Sequence, residues 1–217
     1  MLLSSNISKL GNIRSFNLPA VKTCPGATKN CVKYCYARKG NFKFQPVQDM
    51  YTENLKLSLS ENFINRINEE LSLSERYFRI HSAGDFYSVN YFRKWVEIAR
   101  HNPHIIFLAF TRNTDIDFSE APDNMKLIFT ADDSTEKLNS TATRFAFVVN
   151  SGFSRVPHMT DINFSHHIVA KVCNSKSCEN CLECWNGESH ILFPQKYQKY
   201  SDVNFTSSFV LSLPVNS

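Results

Sequence analysis

The sequence has no long apolar run. Its longest uninterrupted stretch, Ile105 to Phe110 in "IIFLAF", is far short of the roughly 20 residues that a membrane-spanning helix requires. The opening residues "MLLSSNISKLGNIRSF" lack a basic region followed by a sustained apolar segment, so no export leader is expected. No run of like charges stands out, and 24 Lys and Arg against 20 Asp and Glu leave a net charge of +4. That balance is too mild on its own to indicate a nucleic-acid partner. Internal repeats, low-complexity tracts and linker-like composition are also missing. These absences predict a cytoplasmic protein without membrane segments, its 217 residues folded as one domain, 1–217.

Cysteine is what the chain has in quantity. Seven thiols fall in two groups: Cys24, Cys31 and Cys35 in "CPGATKNCVKYCY", and Cys173, Cys178, Cys181 and Cys184 in "CNSKSCENCLECW", a segment spanning 173–185. A reducing cytosol disfavours structural disulfides and seven is an odd number, so shared metal ligation is the better account. Four thiolates saturate a tetrahedral zinc or a [4Fe-4S] cluster, whereas three leave one coordination position for a substrate or cofactor. The overlapping C-x-x-C steps of Cys178, Cys181 and Cys184 resemble ferredoxin spacing more than the separated knuckles of a zinc ribbon. An iron–sulfur cluster is therefore expected, with zinc as the alternative at the C-terminal group.

Short β-rich segments recur at residues 77–81, 104–110, 125–130, 144–150 and 167–172, several nearly continuously apolar, as strands covered on both faces are. Between the first two, Phe92, Trp95, Val96 and Ala99 recur at helical spacing, with Ser88 as a cap and Pro103 beyond the end, which makes a βαβ unit. Residues 47–71 predict helix with a break near Ser58 to Ser60. The later connections hold short helices at most, and residues 151–165 read as loop. The fold class is α/β with a largely parallel sheet, a partial or eroded (β/α) barrel.

"CPGATKNCVKYCYARKGNF", "RIHSAGDFYSVNYFRKWVEIA", "FLAFTRN" and "CENCLECW" resemble the phage and mobile-element family called gene product 88, over most of the chain. More distantly, a three-cysteine loop after an initial strand, with Tyr36 beside the last cysteine, resembles radical S-adenosylmethionine enzymes, although their spacing is three and two intervening residues where this chain has six and three. That resemblance implies a cluster on Cys24, Cys31 and Cys35 whose open iron binds S-adenosylmethionine. It also implies that "HSAGDF" supplies Ser82, Gly84 and Asp85 to hold the cofactor's amino group.

Asp85 is equally suited to the first turn of the helix starting near Ser88. Arg112 can pair bidentately with a carboxylate or phosphate, or form a surface salt bridge. Thr111, Asn113, Asp132, Asp133, Asn150, Ser151 and His81 also lie at strand ends that parallel strands would bring to one mouth. His158, His166 and His167 read as ordinary surface or core histidines. "YARKGNFKF" interleaves aromatics with cations and either stacks bases or shields the cluster from solvent. Two functions follow: an iron–sulfur enzyme of radical S-adenosylmethionine type acting on an unknown substrate, or a non-catalytic phage or plasmid accessory protein with structural metal centres that binds nucleic acid or a host protein.

Overall fold

The alternation of apolar strands with amphipathic helices builds one mixed sheet. The computed structural model describes residues 2–5, 7, 9–149, 168–194 and 209–211. Nine strands run in the order β1-β2-β3-β4-β5-β6-β8-β7-β9: β1 Leu3–Ser4, β2 Arg14–Phe16, β3 Tyr77–Ile80, β4 Ile106–Thr111, β5 Met125–Ala131, β6 Phe145–Val149, β7 Ile168–Val172, β8 His190–Pro194 and β9 Phe209–Leu211. The pairings from β2 through β7 are parallel, and only the edges β1 and β9 are antiparallel to their neighbours. The sheet stays open: it is not a closed barrel, and β1 and β9 are its two ends. The strand expected at 144–150 ends at Val149, and the one expected from 167 begins at Ile168. The loop expected at 151–165 lies outside the described residues, as do Asn150, Ser151, His158, His166 and His167.

Helices cover one face. The expected helical region 47–71 forms α2 Gln45–Leu59 and α3 Phe63–Glu70, after the short α1 Lys29–Tyr34; the break falls at residues 60–62. Then α4 Val89–His101 begins under Ser88, whose hydroxyl accepts the Tyr91 N–H at 3.2 Å, and buries Phe92, Trp95, Val96 and Ala99. Side chains alternate across a strand, so Phe78 and Ile80 of β3 join Phe107 and Ala109 of β4 against this helical layer. Its centre is aromatic, with Phe16 edge-on to Phe63 at 5.4 Å and to Trp95 at 5.6 Å.

Among the described residues, the opposite face carries no long helix. Leu108, Ile128, Ala146 and Ile191 pack there against Leu10, Ile13 and Trp185, and Cys173, Cys178 and Cys184 join that cluster, while Cys181 is exposed. Trp185 belongs to α6 Glu183–Asn186, which follows α5 Cys178–Cys181. One face thus holds helices and the other holds a thiol-bearing cap. Among the described residues no helix is long and apolar enough to cross a membrane.

Candidate functional site

The N-terminal thiols reach the carboxyl edge of the sheet because the chain leaving β2 is fastened to the chain leaving β3. Asn17 is fully buried, and its side-chain oxygen accepts the backbone N–H groups of Ser82 at 2.6 Å and Ala83 at 3.0 Å. Beyond the following turn, Gly26 passes so close to β4 that a Cβ there would stand 1.9 Å from the Arg112 carbonyl oxygen. Only glycine permits that approach. Thr28 then serves twice: it caps α1 by accepting the Cys31 N–H at 3.0 Å and donates to Asp132 Oδ2 at 2.7 Å. Cys31 sits in α1 and Cys35 at its end, so the loop and its three thiols are pinned over the exits of β4 and β5.

Cys24, Cys31 and Cys35 are partly buried and lie within electrostatic reach of one another and of Asp85. Burial, with the Asp85 carboxylate next, pushes the Cys24 thiol up to about 12. Burial also raises Cys31, but the Arg112 guanidinium pulls it back. Asp85 is 5% exposed and accepts the N–H of Phe86 at 2.7 Å and of Arg112 at 2.9 Å. Desolvation lifts it to about 6, with the Thr111 side chain and these N–H groups opposing. Asp85 is therefore a strut between the exits of β3 and β4, while Ser88 does the helix capping. Arg112 forms a buried ion pair with Asp132 at 3.0 Å. Its Nη1 is buried with no hydrogen-bond partner among the described residues.

The other expected ligand-binding residues stand at the same edge. Tyr36 donates its hydroxyl to the Ser82 carbonyl, and burial around that oxygen raises its pKa. Gly84 has φ of +85°, and a Cβ there would lie 2.6 Å from Leu18 Cβ. His81 turns the other way, into the helical layer: Nε2 meets the Tyr91 hydroxyl at 2.8 Å and the ring packs edge-on to Phe86. It faces away from the thiols.

The second thiol group caps the face of the sheet opposite α4, on the short helices α5 and α6. Ser177 caps α5 through the Asn180 N–H, and Leu182, at φ +51°, turns the chain into α6. The Cys178 N–H donates to the Lys9 carbonyl at 2.7 Å, while Lys9 Nζ donates to Cys173 Sγ at 3.0 Å. Arg144 grips the backbone behind, reaching the carbonyls of Cys184 at 2.8 Å, Glu183 at 3.0 Å and Ser189 at 2.8 Å. Burial pushes Cys184 up to about 12, against the pull of Arg79. The Arg79 guanidinium stands 4.2 Å over the Phe110 ring and donates through Nε to the His81 carbonyl at 3.0 Å. It feels Tyr36 and Asp85 on the side of the first thiol group and Cys184 and Cys178 on the other.

All seven cysteines are unbridged thiols. Among the described residues, no three of His, Cys, Asp and Glu are arranged to hold a metal ion as they stand. The structure thus brings Cys24, Cys31, Cys35, Tyr36, Ser82, Gly84, Asp85 and Arg112 to one edge, and Cys173, Cys178, Cys181 and Cys184 to a separate cap. Lys9, Arg79 and Arg144, the cations around the second group, escape sequence reasoning because they lie far from it along the chain. The link from Thr28 to Asp132 escapes it too.

An open, mostly parallel α/β sheet bearing two thiol groups is the class of protein these observations define. The family model for gene product 88 matches residues 2–187, and the chain belongs to that family. It is 28% identical over 209 residues to the Gene 88 protein of Mycobacterium phage L5, covering 85% of this chain and 87% of that protein. The Gene 88 protein of Mycobacterium phage D29 is 26% identical over 214 residues, with 85% and 88% covered. No solved structure matches.

Proposed function

We propose that this phage-type protein is an iron–sulfur protein in which Cys24, Cys31 and Cys35 hold a [4Fe-4S] cluster with one open position. The observation that carries the reading is Arg112 Nη1. Among the described residues it is a buried donor without an acceptor, on the guanidinium whose charge acts on Cys31 in the three-thiol loop. Buried donors are rarely left unpaired, and an anionic group seated among the thiols would satisfy this one. The thiols lie on a loop and a six-residue helix, elements that can draw inward around a metal.

When bound, such a cluster supplies one-electron chemistry. The chain's own contribution is to orient and to exclude water. Arg112 receives a carboxylate, Asp85 and Gly84 fix the edge of β3, and the Tyr36 hydroxyl ties the loop to Ser82. S-adenosylmethionine is the expected co-substrate, its carboxylate meeting Arg112. The C-terminal four thiols, backed by Lys9 and Arg144, read as a closed structural centre holding iron–sulfur or zinc.

Anaerobic reconstitution followed by iron, sulfide and zinc analysis tests this, with electron paramagnetic resonance of the reduced protein before and after S-adenosylmethionine. Cys24→Ser should lower iron to the content of the C-terminal centre and abolish the response to S-adenosylmethionine. Iron and sulfide that bind in the wild type but give no such response would remove the co-substrate and keep the cluster. No metal at either group would overturn the reading.

A further inference from the structure

The first 48 residues contain eight Lys and Arg and no Asp or Glu; the first acid is Asp49. Residues 1–48 therefore carry +8, and the remaining 16 cations against 20 acids leave residues 49–217 at −4. The modest net charge of the chain conceals this division. Besides the exposed Lys39, five of these cations, Lys22, Lys29, Lys33, Arg38 and Lys43, are exposed on the loop, α1 and the turns that follow it, the same segment that carries Cys24, Cys31 and Cys35.

Two large rings stand exposed on this segment. Tyr36 and Phe44 are each 59% exposed. The Tyr36 ring is held in place, its hydroxyl tied to the Ser82 carbonyl and its edge against Phe42 at 5.7 Å. Cations on the same segment as exposed aromatic rings, one of them held in place, match a polyanion whose flat bases are free to stack. A duplex offers phosphates with its bases hidden, and an acidic peptide offers charge without rings to stack.

We propose that this surface binds a single-stranded nucleic acid, its phosphates on Lys22, Lys29, Lys33, Arg38 and Lys43 and its bases on Tyr36 and Phe44. The inference stands on surface charge and exposed rings and does not depend on a metal being bound. The cations and the thiols share one segment, so a strand lying here passes over the mouth of the candidate centre.

The test is fluorescence anisotropy of labelled 12-nucleotide oligo-dT and oligo-U with the full chain between 50 and 200 mM salt. Single strands release about 0.7 counterion per phosphate contact, so five contacts give a slope of about −3.5 in log K against log salt. Lys29→Glu combined with Lys43→Glu should weaken binding about tenfold or more and reduce that slope by about 1.4. Phe44→Ala should weaken binding about fivefold or more with the slope unchanged. Lys56→Glu, exposed on α2 and outside the segment, should change little.

Four results would overturn the proposal: no binding at 50 mM salt, equal affinity for a 12-base-pair duplex, equal competition by poly-L-glutamate, or indifference to the charge reversals in variants with wild-type melting temperature. Metal content is read separately on the same preparations. Failure of the cluster reading therefore leaves this result interpretable.

Discussion

Lys9 Nζ donates to Cys173 Sγ at 3.0 Å, joining residues 164 positions apart, while the Lys9 carbonyl accepts the Cys178 N–H at 2.7 Å. One residue near the amino end thus holds the thiol of one C-terminal cysteine with its side chain and the backbone of another with its carbonyl. Lys9→Met keeps the backbone contact and removes only the side-chain donor. A single hydrogen bond contributes about 1 kcal/mol net, which lowers the melting temperature of a chain this size by about 2–4 °C. Thermal denaturation checks this, and an unchanged melting temperature would deny the Lys9 side chain any role.

Gly26→Ala should undock the N-terminal thiol loop. Its Cβ would press on the Arg112 carbonyl oxygen at 1.9 Å, and backbone cannot yield as a flexible side chain can. Overpacking of this kind costs about 1–3 kcal/mol. In protein reconstituted with the proposed centres, the informative reading is which metal leaves: the proposed N-terminal centre should empty while the proposed C-terminal centre keeps its content. Equal loss from both would show general unfolding instead.

His81 should make the fold acid-sensitive. Burial, helped by the Arg79 charge, lowers its folded pKa to about 3 from an ordinary 6.5. Between those values the unfolded chain takes up a proton that the folded chain refuses, so stability is full above about 6.5 and falls as the pH drops. The slope from this one group is about 1.4 kcal/mol per pH unit. His81→Asn, a residue that tolerates the positive φ of 62°, should remove this rising contribution in denaturant titrations between pH 6 and 4, leaving stability that falls with rising pH through the Asp85 contribution alone. An unchanged slope would mean that His81 is already protonated in the folded protein.

Asp85 works in the opposite sense. Its folded pKa of about 6 lies above the ordinary 3.8, so the folded chain holds the extra proton and stability falls as pH rises from about 4 to 6. Asp85→Asn removes this term, and the acid side of the stability profile should then steepen toward the His81 slope. A shallower profile would reverse the assignment.

Trp185→Ala should be among the most destabilising single changes. The indole is 1% exposed, donates to the Phe78 carbonyl at 3.2 Å and packs edge-on to Tyr77. Loss of a buried aromatic of this size costs about 3–5 kcal/mol. Leu73→Ala, at a position 92% exposed, should stay within about 0.5 kcal/mol of wild type in the same denaturant series.

The helices and central strands were legible because each has a local cause. Phe92, Trp95, Val96 and Ala99 repeat at helical spacing behind a Ser88 cap, and β4 and β5 are apolar runs that only two-sided burial explains. The three-residue β2 was not legible, nor was β8, which enters between β6 and β7. A strand that short has no periodicity to read, and neighbours in a sheet are chosen by packing rather than by order along the chain. The open sheet is likewise a tertiary outcome, since both edges end in short antiparallel strands that no local signal announces.

The candidate site divides in the same way. The sequence by itself determined that seven thiols come in groups of three and four, and that Gly84, Asp85 and Arg112 follow strands, because side-chain chemistry and spacing are local properties. Only the tertiary structure decided that Asp85 braces two strand exits, that His81 faces the helical layer, and that Arg112 spends one arm on Asp132 while its Nη1 meets no partner among the described residues. Those assignments depend on which distant group arrives within about 3 Å, and that is fixed by how the sheet orders its strands and not by any neighbour along the chain.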